Sequence, residues 1–425
     1  MTRRIGLLLA ACLWTMPATA AAQAPAAQTP PVQTPPATDP PPAVSAAGAD
    51  RPDPRAQYPA LLRDSFISIG VGAIDYPFSG RQLEPGFQAT TVVTPRVGVR
   101  VALFGHEFTP HLSAQLAYMR PGGFVSYRDV NGDQSGHHVR VDFGALTVRW
   151  RQPVGGRVAL DGEVGVSLTS REGFSVNGQT VVRDASYGSA VYGAGLDLRL
   201  NARWELTAGA TLVPANARSR QPRTLFTAGG FRYTVRPLSD AQVRRTIERG
   251  AIFPVQLVTI EYTTGTGYGI NSFFARKVPI FWGGDVDVDR GVAVHYDRNV
   301  FHSRSLFSFD VGTSAGVWRS RDARETFATV SCYPLVRLTF LRTKAADVYF
   351  QYSLAGPTFI TRRIIDGRDT GRHFTFQDFM GIGVFLGAAR RTSLAVKIDH
   401  YSNGNLFPHN AAVTVPLTIS LGITF

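Results

Sequence analysis

His400 and Ser402, near the carboxyl end of the chain, are the residues whose types and spacing could support nucleophilic catalysis. Residues two apart in an extended strand share one face, with Cα atoms about 7 Å apart. An imidazole at that spacing can act as a general base towards a hydroxyl. Leu394, Val396 and Ile398 occupy the same face, and their apolar character predicts that this face meets lipid. The predicted chemistry is hydrolysis of an ester held in a membrane.

The element that must position this pair is a β-strand, because period-two alternation dominates the chain from about residue 64. The clearest case is residues 413–425, in which apolar and other side chains alternate over the whole segment up to the terminal Phe425. A mean strand runs to only about five or six residues. The length of this alternation favours a membrane strand, and the chain is predicted to be an all-β transmembrane antiparallel β-barrel.

Counting the alternating segments gives eight in each half of the chain. Those of the first half begin near Ser65, Arg96, Leu112, His138, Val158, Ser189, Trp204 and Leu225, and those of the second cover 254–267, 284–297, 304–318, 325–341, 346–360, 373–388, 391–402 and 411–425. Residues 239–249 lack the alternation and predict a short helix. Two tandem eight-stranded barrels are therefore the first prediction, and one sixteen-stranded barrel is the alternative.

The predicted organisation has five parts. They are a signal peptide (1–22), a Pro-rich periplasmic linker (23–60), a small barrel (61–236), a linker with a short helix (237–253) and a second barrel (254–425). A periplasmic start makes the penultimate strand run outwards, which places His400 and Ser402 at the outer leaflet of a Gram-negative outer membrane.

Net charge narrows the classes of binding partner, and cysteine content bears on disulfide formation. The formal net charge is +13, which suits either nucleic acid or an anionic lipid headgroup layer. The export signal favours lipid, and no nucleic-acid-binding signature is present. Cys12 leaves with the signal peptide, so Cys332 alone remains and no intramolecular disulfide is predicted. The sequence leaves open whether the protein forms a homodimer.

The segment His400-Tyr401-Ser402-Asn403 resembles the His-x-Ser-Asn motif of the lipid A 3-O-deacylase family, the PagL-like acyloxyacyl hydrolases. Further similar segments are Val278-Pro279-Ile280-Phe281-Trp282, Tyr296-Asp297-Arg298-Asn299, Gly356-Pro357 and Gly381-Ile382-Gly383. The resemblance covers about 254–425, and the first barrel resembles only small OmpA-like barrels in general. It implies hydrolysis of an ester-linked 3-hydroxyacyl chain of lipid A in lipopolysaccharide, without a metal or another cofactor.

By the same resemblance Ser402 is the nucleophile, His400 is the base, and Asn403 with the backbone of Asn405 forms the oxyanion site. One departure concerns the acid, since Thr414 stands where the family places a Glu.

A substitute acid follows from the hairpin that precedes the pair. A turn centred near residues 389 and 390 predicts that Asp378 lies opposite Ser402 and Met380 opposite His400. We therefore hypothesise that Asp378 orients or charges His400, against the alternative of a solvated rim carboxylate.

Arg362 and Arg363 lie in a long charged loop predicted to be outside the cell, where they could bind lipid A phosphates or be solvated. The alternative to an enzyme is a non-catalytic structural outer-membrane barrel or a porin.

Overall fold

The computed structural model describes residues 53–248, 251–277, 283–407 and 409–425. The predicted signal peptide and most of the predicted Pro-rich linker lie outside the described residues. None of the described helices has the length and apolar character to cross a membrane.

The first half of the described chain contains twelve strands. They are β1 (Ser65–Asp75), β2 (Ala89–Val93), β3 (Val97–Glu107), β4 (Leu112–Pro121), β5 (Val125–Val130), β6 (His137–Pro153), β7 (Val158–Glu172), β8 (Phe174–Val176), β9 (Gln179–Val182), β10 (Ala185–Arg199), β11 (Trp204–Val213) and β12 (Thr224–Thr234). Eight of them close in the order β1-β3-β4-β6-β7-β10-β11-β12, with β12 returning to β1. β2 and β5 extend the wall beyond β6, and β8 with β9 forms a separate hairpin.

The second half contains ten strands. They are β13 (Gln256–Thr263), β14 (Val286–His302), β15 (Phe307–Ser320), β16 (Thr326–Arg342), β17 (Ala346–Ile360), β18 (Ile364–Ile365), β19 (Arg368–Asp369), β20 (Phe374–Leu386), β21 (Thr392–Ser402) and β22 (Val413–Thr424). All except β18 and β19 form a closed antiparallel barrel in which β22 pairs with β13. Helix α1 (Asp240–Ile247) connects the two barrels, and helix α2 (Tyr268–Lys277) lies between β13 and β14.

The prediction of two eight-stranded barrels is confirmed, and the sixteen-stranded alternative is wrong. The separation occurs at α1, which begins at a capping box made by Ser239 and Gln242. Each barrel closes within its own half of the chain, because β12 pairs with β1 and β22 pairs with β13.

Both barrels carry apolar side chains on their outer walls. On β7 Leu160, Val164 and Val166 are exposed, and on β21 Leu394 and Val396 are exposed. Exposed aliphatic side chains on alternate residues form the lipid-facing band of a membrane barrel. The outer wall therefore follows the parity that the alternation predicts.

The interior of the second barrel is crossed by buried ion pairs. Arg337 donates from Nη2 to Asp297 Oδ2 at 2.5 Å and from Nη1 to Asp310 Oδ2 at 2.6 Å. Lys397 Nζ lies 2.7 Å from Glu261 Oε1, and both side chains are buried. Charged groups out of water need such partners. The lumen of this small barrel is filled by side chains, as is usual for eight strands.

Residues 53–58, at the end of the predicted linker, contact the base of the second barrel. Pro54–Ala56 forms a 3-10 turn, and Arg55 donates to Asn299 Oδ1 at 3.1 Å. Tyr58 stacks on Phe301 with ring centroids 4.2 Å apart. Residues 53–58 are thus folded against the second barrel.

Candidate functional site

His400 lies on β21 between two strands that each place one residue beside it. Asp378 of β20 is its cross-strand partner on one side and Thr414 of β22 on the other. His400 Nδ1 is 3.6 Å from Asp378 Oδ2, and the imidazole is fully buried. The arrangement puts a carboxylate within ion-pairing distance of the imidazole.

The predicted pairing of the β20–β21 hairpin is wrong by two residues. Asp378 was predicted opposite Ser402, and the structure places Phe376 there, with Met380 opposite Ile398. The cause is the turn, which spans residues 387–391 and is centred on 389. Gly387 and Arg390 have positive φ angles of 82° and 55°, and the N–H of Arg390 donates to the carbonyl of Gly387. The predicted pairs imply a turn centred on residue 390, one residue later than the observed centre. Moving the centre of a hairpin turn by one residue moves every cross-strand partner by two.

A bulge in β17 holds the carboxylate of Asp378 in place. The pairing of β17 with β20 shifts between Ser353 and Gly356, and Ala355 has a φ of 50°. A residue left out of the ladder has an N–H to spare. That N–H, of Ala355, donates to Asp378 Oδ1 at 2.5 Å. The other oxygen of Asp378 is the one that faces His400.

Ser402 and His400 lie on the outer side of the barrel wall, as predicted. Leu394 and Val396, on the same face of β21, are 40% and 45% exposed, whereas the alternate residue Lys397 is buried in the lumen. However, His400 is 0% and Ser402 is 6% exposed. The expectation that the pair is bare to lipid is therefore corrected, because this end of the wall is covered.

Helix α2 supplies part of that cover and was not predicted from the sequence. Ile398, the neighbour of His400 on this face, packs with Met380 and with Phe274 of α2. Ile270, Phe273 and Phe274 have the i, i+3, i+4 spacing of an amphipathic helix, which is the signal that could have revealed it.

A bulge in β22 anchors α2. Lys397 pairs with Thr418, but Asp399 pairs with Val415, so β22 carries one extra residue between these partners. Pro416 lies there and has no N–H to offer a ladder. Asn271 of α2 donates from Nδ2 to the carbonyls of Val415 and Asp399, at 3.0 and 3.4 Å.

The same bulge changes the face on which the first residues of β22 lie. The uninterrupted alternation of 413–425 predicts one face for all its apolar residues, and this is wrong. Ile419 and Leu421 are exposed on the outer wall, whereas Val413 and Val415 are buried in a cluster with Trp318 and Tyr401. An extra residue reverses strand parity, which brings Thr414 to the side of His400.

The loop after Ser402 is braced by asparagine side chains. Asn403 Nδ2 donates to the carbonyls of Thr370 and His409, at 3.1 and 2.9 Å, and the residue is fully buried. The N–H of Asn403 donates to Asn410 Oδ1 at 2.8 Å. The side-chain donors of Asn403, predicted to serve an oxyanion site, are therefore occupied by backbone carbonyls.

Asn405 lies in this loop with a φ of 57°, and its side chain faces Arg140 of the first barrel. Ser402, Asn405 and Asn410 line one open cavity of about 490 Å³. Arg140 and Glu172 of the first barrel line the same cavity, a contribution that sequence reasoning did not anticipate.

Arg362 and Arg363 are not gathered with Ser402. Arg362 Nη1 is 2.7 Å from Glu325 Oε1, and Arg363 Nε is 3.6 Å from Asp369 Oδ1. Both guanidinium groups remain about half exposed. Asp369 lines the cavity beside Ser402, so Arg363 borders the site through its partner.

The described residues contain no group of three or more His, Cys, Asp or Glu side chains that could hold a metal ion.

Residues 290–421 match the model of the family described as lipid A 3-O-deacylase (PagL). Among solved structures, the chain is similar to the outer membrane enzyme PagL, at 14% identity over 40% of this chain and 99% of that one, with a TM-score of 0.29. It is also similar to the N-terminal β-barrel domain of OprF from Pseudomonas aeruginosa, at 14% identity over 40% and 98% of the chains, with a TM-score of 0.25. For Ail of Yersinia pestis the identity is 15%, the coverage 40% and 97%, and the TM-score 0.27. No curated protein matches the chain.

The family match includes β20, β21 and the greater part of β22, and thus both cross-strand partners of His400, Asp378 and Thr414. Together with two closed barrels whose outer walls are apolar, it identifies a Gram-negative outer-membrane protein whose second barrel is similar to lipid A 3-O-deacylases.

Proposed function

We propose that the second barrel hydrolyses an ester-linked 3-hydroxyacyl chain of lipid A, with Ser402 as nucleophile and His400 as general base. The observation that carries the proposal is the position of His400, between the carboxylate of Asp378 and the strand end that bears Ser402. The pair lies on the outer side of the wall, at the end of the barrel that carries the long loops, where lipopolysaccharide resides.

The chemistry is acyl transfer in two steps. Nδ1 of His400 faces Asp378, which favours the tautomer with its hydrogen on Nδ1 and a lone pair on Nε2. Nε2 takes the proton of Ser402 while Oγ attacks the ester carbonyl carbon. The C–O bond to the sugar then breaks, and the sugar oxygen receives that proton. Water hydrolyses the acyl-serine by the same route and releases the 3-hydroxy fatty acid.

Asp378 has the role of the orienting acid in this mechanism. It is buried, it is fixed by the N–H of Ala355, and it is the carboxylate next to the imidazole. A carboxylate so placed stabilises the imidazolium that forms during attack. The Thr414 hydroxyl, on the other side of His400, can carry no negative charge.

The oxyanion that develops on the substrate needs donors that point into the cavity. The side chain of Asn403 is committed to two carbonyls. The backbone N–H of Asn405, in the loop that lines the cavity, is therefore our candidate. Arg362 and Arg363 would lie at the edge of the bound substrate.

Mass spectrometry of lipid A from cells that express the protein tests the proposal. Loss of one 3-hydroxyacyl chain is expected with the natural sequence and not with Ser402→Ala. Ser393→Ala is the matched control, because Ser393 lies on the same strand, on the face that carries the lumen residue Lys397, and contacts Tyr349 at 3.0 Å. Unchanged lipid A in cells that express the natural sequence would refute the proposal. It would support the alternative of a non-catalytic barrel, which Thr414 favours.

A porin is the other alternative, and the ion pairs of Arg337 and Lys397 across the lumen oppose it. Ion conductance in planar bilayers would support a porin if single channels opened.

A further inference from the structure

The loop after Ser402 rests on the outer end of the first barrel. Leu406 lies against Gly144 of β6, where a Cβ would be only 3.0 Å from Leu406 Cδ2. His409 Nε2 is 3.9 Å from Asp184 Oδ2, at the start of β10. The backbone of β6 therefore leaves room for the loop, and a charged group faces the loop from the residue that precedes β10.

Arg140 of β6 contacts the loop through hydrogen bonds of its guanidinium group. Its Nε donates to Asp142 Oδ2 at 2.9 Å, and Asp142 is 2% exposed and also accepts from Tyr118 at 2.6 Å. The guanidinium plane is thereby fixed. With the Asn405 oxygen turned towards it, Nη2 and Nη1 both donate to that oxygen, at 2.5 and 3.2 Å.

The contact continues to the residue after the nucleophile. The N–H of Leu406 donates to the carbonyl of Asn403 at 3.1 Å and closes a turn that contains Asn405. Asn410 Oδ1 in turn accepts the N–H of Asn403, at 2.8 Å. Fixing Asn405 thus fixes the loop that carries both the peptide after Ser402 and the candidate oxyanion donor.

We propose that Arg140 is a positioning residue for the candidate site, so that the first barrel completes the oxyanion loop of the second. The inference rests on the proposed deacylase function. Arg140 touches no reacting atom in this assignment and acts through Asn405. A fixed guanidinium suits the role, since two donors in one plane orient an amide oxygen better than a single ammonium can.

Steady-state kinetics of the full chain, on lipopolysaccharide in mixed micelles, tests the inference. Arg140→Gln is expected to lower kcat about 10- to 100-fold, because misplacing an oxyanion donor costs rate, and to leave KM within about twofold. Arg140→Lys is expected to lie between Arg140→Gln and the natural protein. Arg183→Ala is the control, since Arg183 is a mostly exposed arginine near the start of β10 that pairs with Glu84.

Hydrogen exchange supplies a second readout that needs no activity. Faster exchange of the amides of Asn403 and Asn405 is expected in Arg140→Gln and not in Arg183→Ala. An active natural protein whose kcat and loop exchange are both unchanged by Arg140→Gln overturns the inference. A raised KM with constant kcat also overturns it, because it makes Arg140 a substrate contact. An inactive natural protein refutes the proposed function, and loop exchange still reports on the contact.

Discussion

Removing the charge of Asp378 tests the assignment of the acid most directly. Asp378→Asn keeps the shape of the side chain and its acceptor for the N–H of Ala355, but it removes the charge 3.6 Å from His400. The charge matters only when the imidazole becomes cationic, which happens in the transition state of acyl transfer. The substitution should therefore reduce kcat rather than substrate binding.

Coulomb's law gives the magnitude. At 3.6 Å, two unit charges interact by about 1.2 kcal/mol at the dielectric constant of water and by about 4.6 kcal/mol at an effective value near 20. Since about 1.4 kcal/mol is a factor of ten in rate, kcat should fall between about 7-fold and about 2000-fold. The side chain is only 9% exposed, which favours the upper part of this range.

Thr414→Glu in the Asp378→Asn background provides the complementary test. Residue 414 is the cross-strand partner of His400 on the side away from Asp378, so a carboxylate there can replace the lost charge. Recovery of at least about tenfold in kcat is expected. Gly284 packs closely on Thr414 Oγ1, so the heat-dependent gel mobility of the folded barrel must be checked for the double variant.

The assay is release of 3-hydroxy fatty acid from lipopolysaccharide, followed by mass spectrometry. Asp322→Asn is the control, because Asp322 is an exposed carboxylate in an outer loop. This substitution should leave the rate of fatty-acid release unchanged. Full activity of Asp378→Asn would refute the assignment of Asp378.

Three further predictions concern the surroundings of the site. Asn271→Ala leaves the carbonyls of Val415 and Asp399 without their donor, which should destabilise the second barrel by about 1–3 kcal/mol and lower its thermal midpoint in detergent. Arg362→Ala with Arg363→Ala should raise KM less than about threefold in the micelle assay, because exposed ion pairs contribute little; loss of kcat would contradict this. Burial raises the pKa of Asp53, but hydrogen bonds from Arg55 hold that pKa below its usual value, so the carboxylate stabilises the fold above pH about 4 and this is lost as pH falls through the lowered pKa. Thermal midpoints of Asp53→Asn and the natural protein should therefore converge in acid.

The strands could be predicted from the sequence because each carries its own alternation. Spacing alone predicts that Leu394 and Val396 lie on the outer wall, and both are exposed. The positions of His400 and Ser402 on the outer side of β21 follow from the same rule. The alternation of residue types within one strand is enough to predict which of its side chains face outwards.

Features that depend on a single extra residue could not be predicted. The centre of the 387–391 turn decides whether Asp378 meets His400 or Ser402, and no residue type in the turn announces it. The bulge at Pro416 reverses the face of Thr414, although the alternation of residue types continues unbroken. The contact of Arg140 with Asn405 joins residues 265 positions apart, for which the sequence carries no local signal.

The ion pairs inside the second barrel constrain how this protein can diverge. Loss of Arg337 alone would strand Asp297 and Asp310 in the interior, and an uncompensated buried charge costs about 3–5 kcal/mol. Substitutions at these three positions should therefore be inherited together. The wall facing the lipid tolerates single exchanges among aliphatic residues, so the two faces of one strand should drift at different speeds.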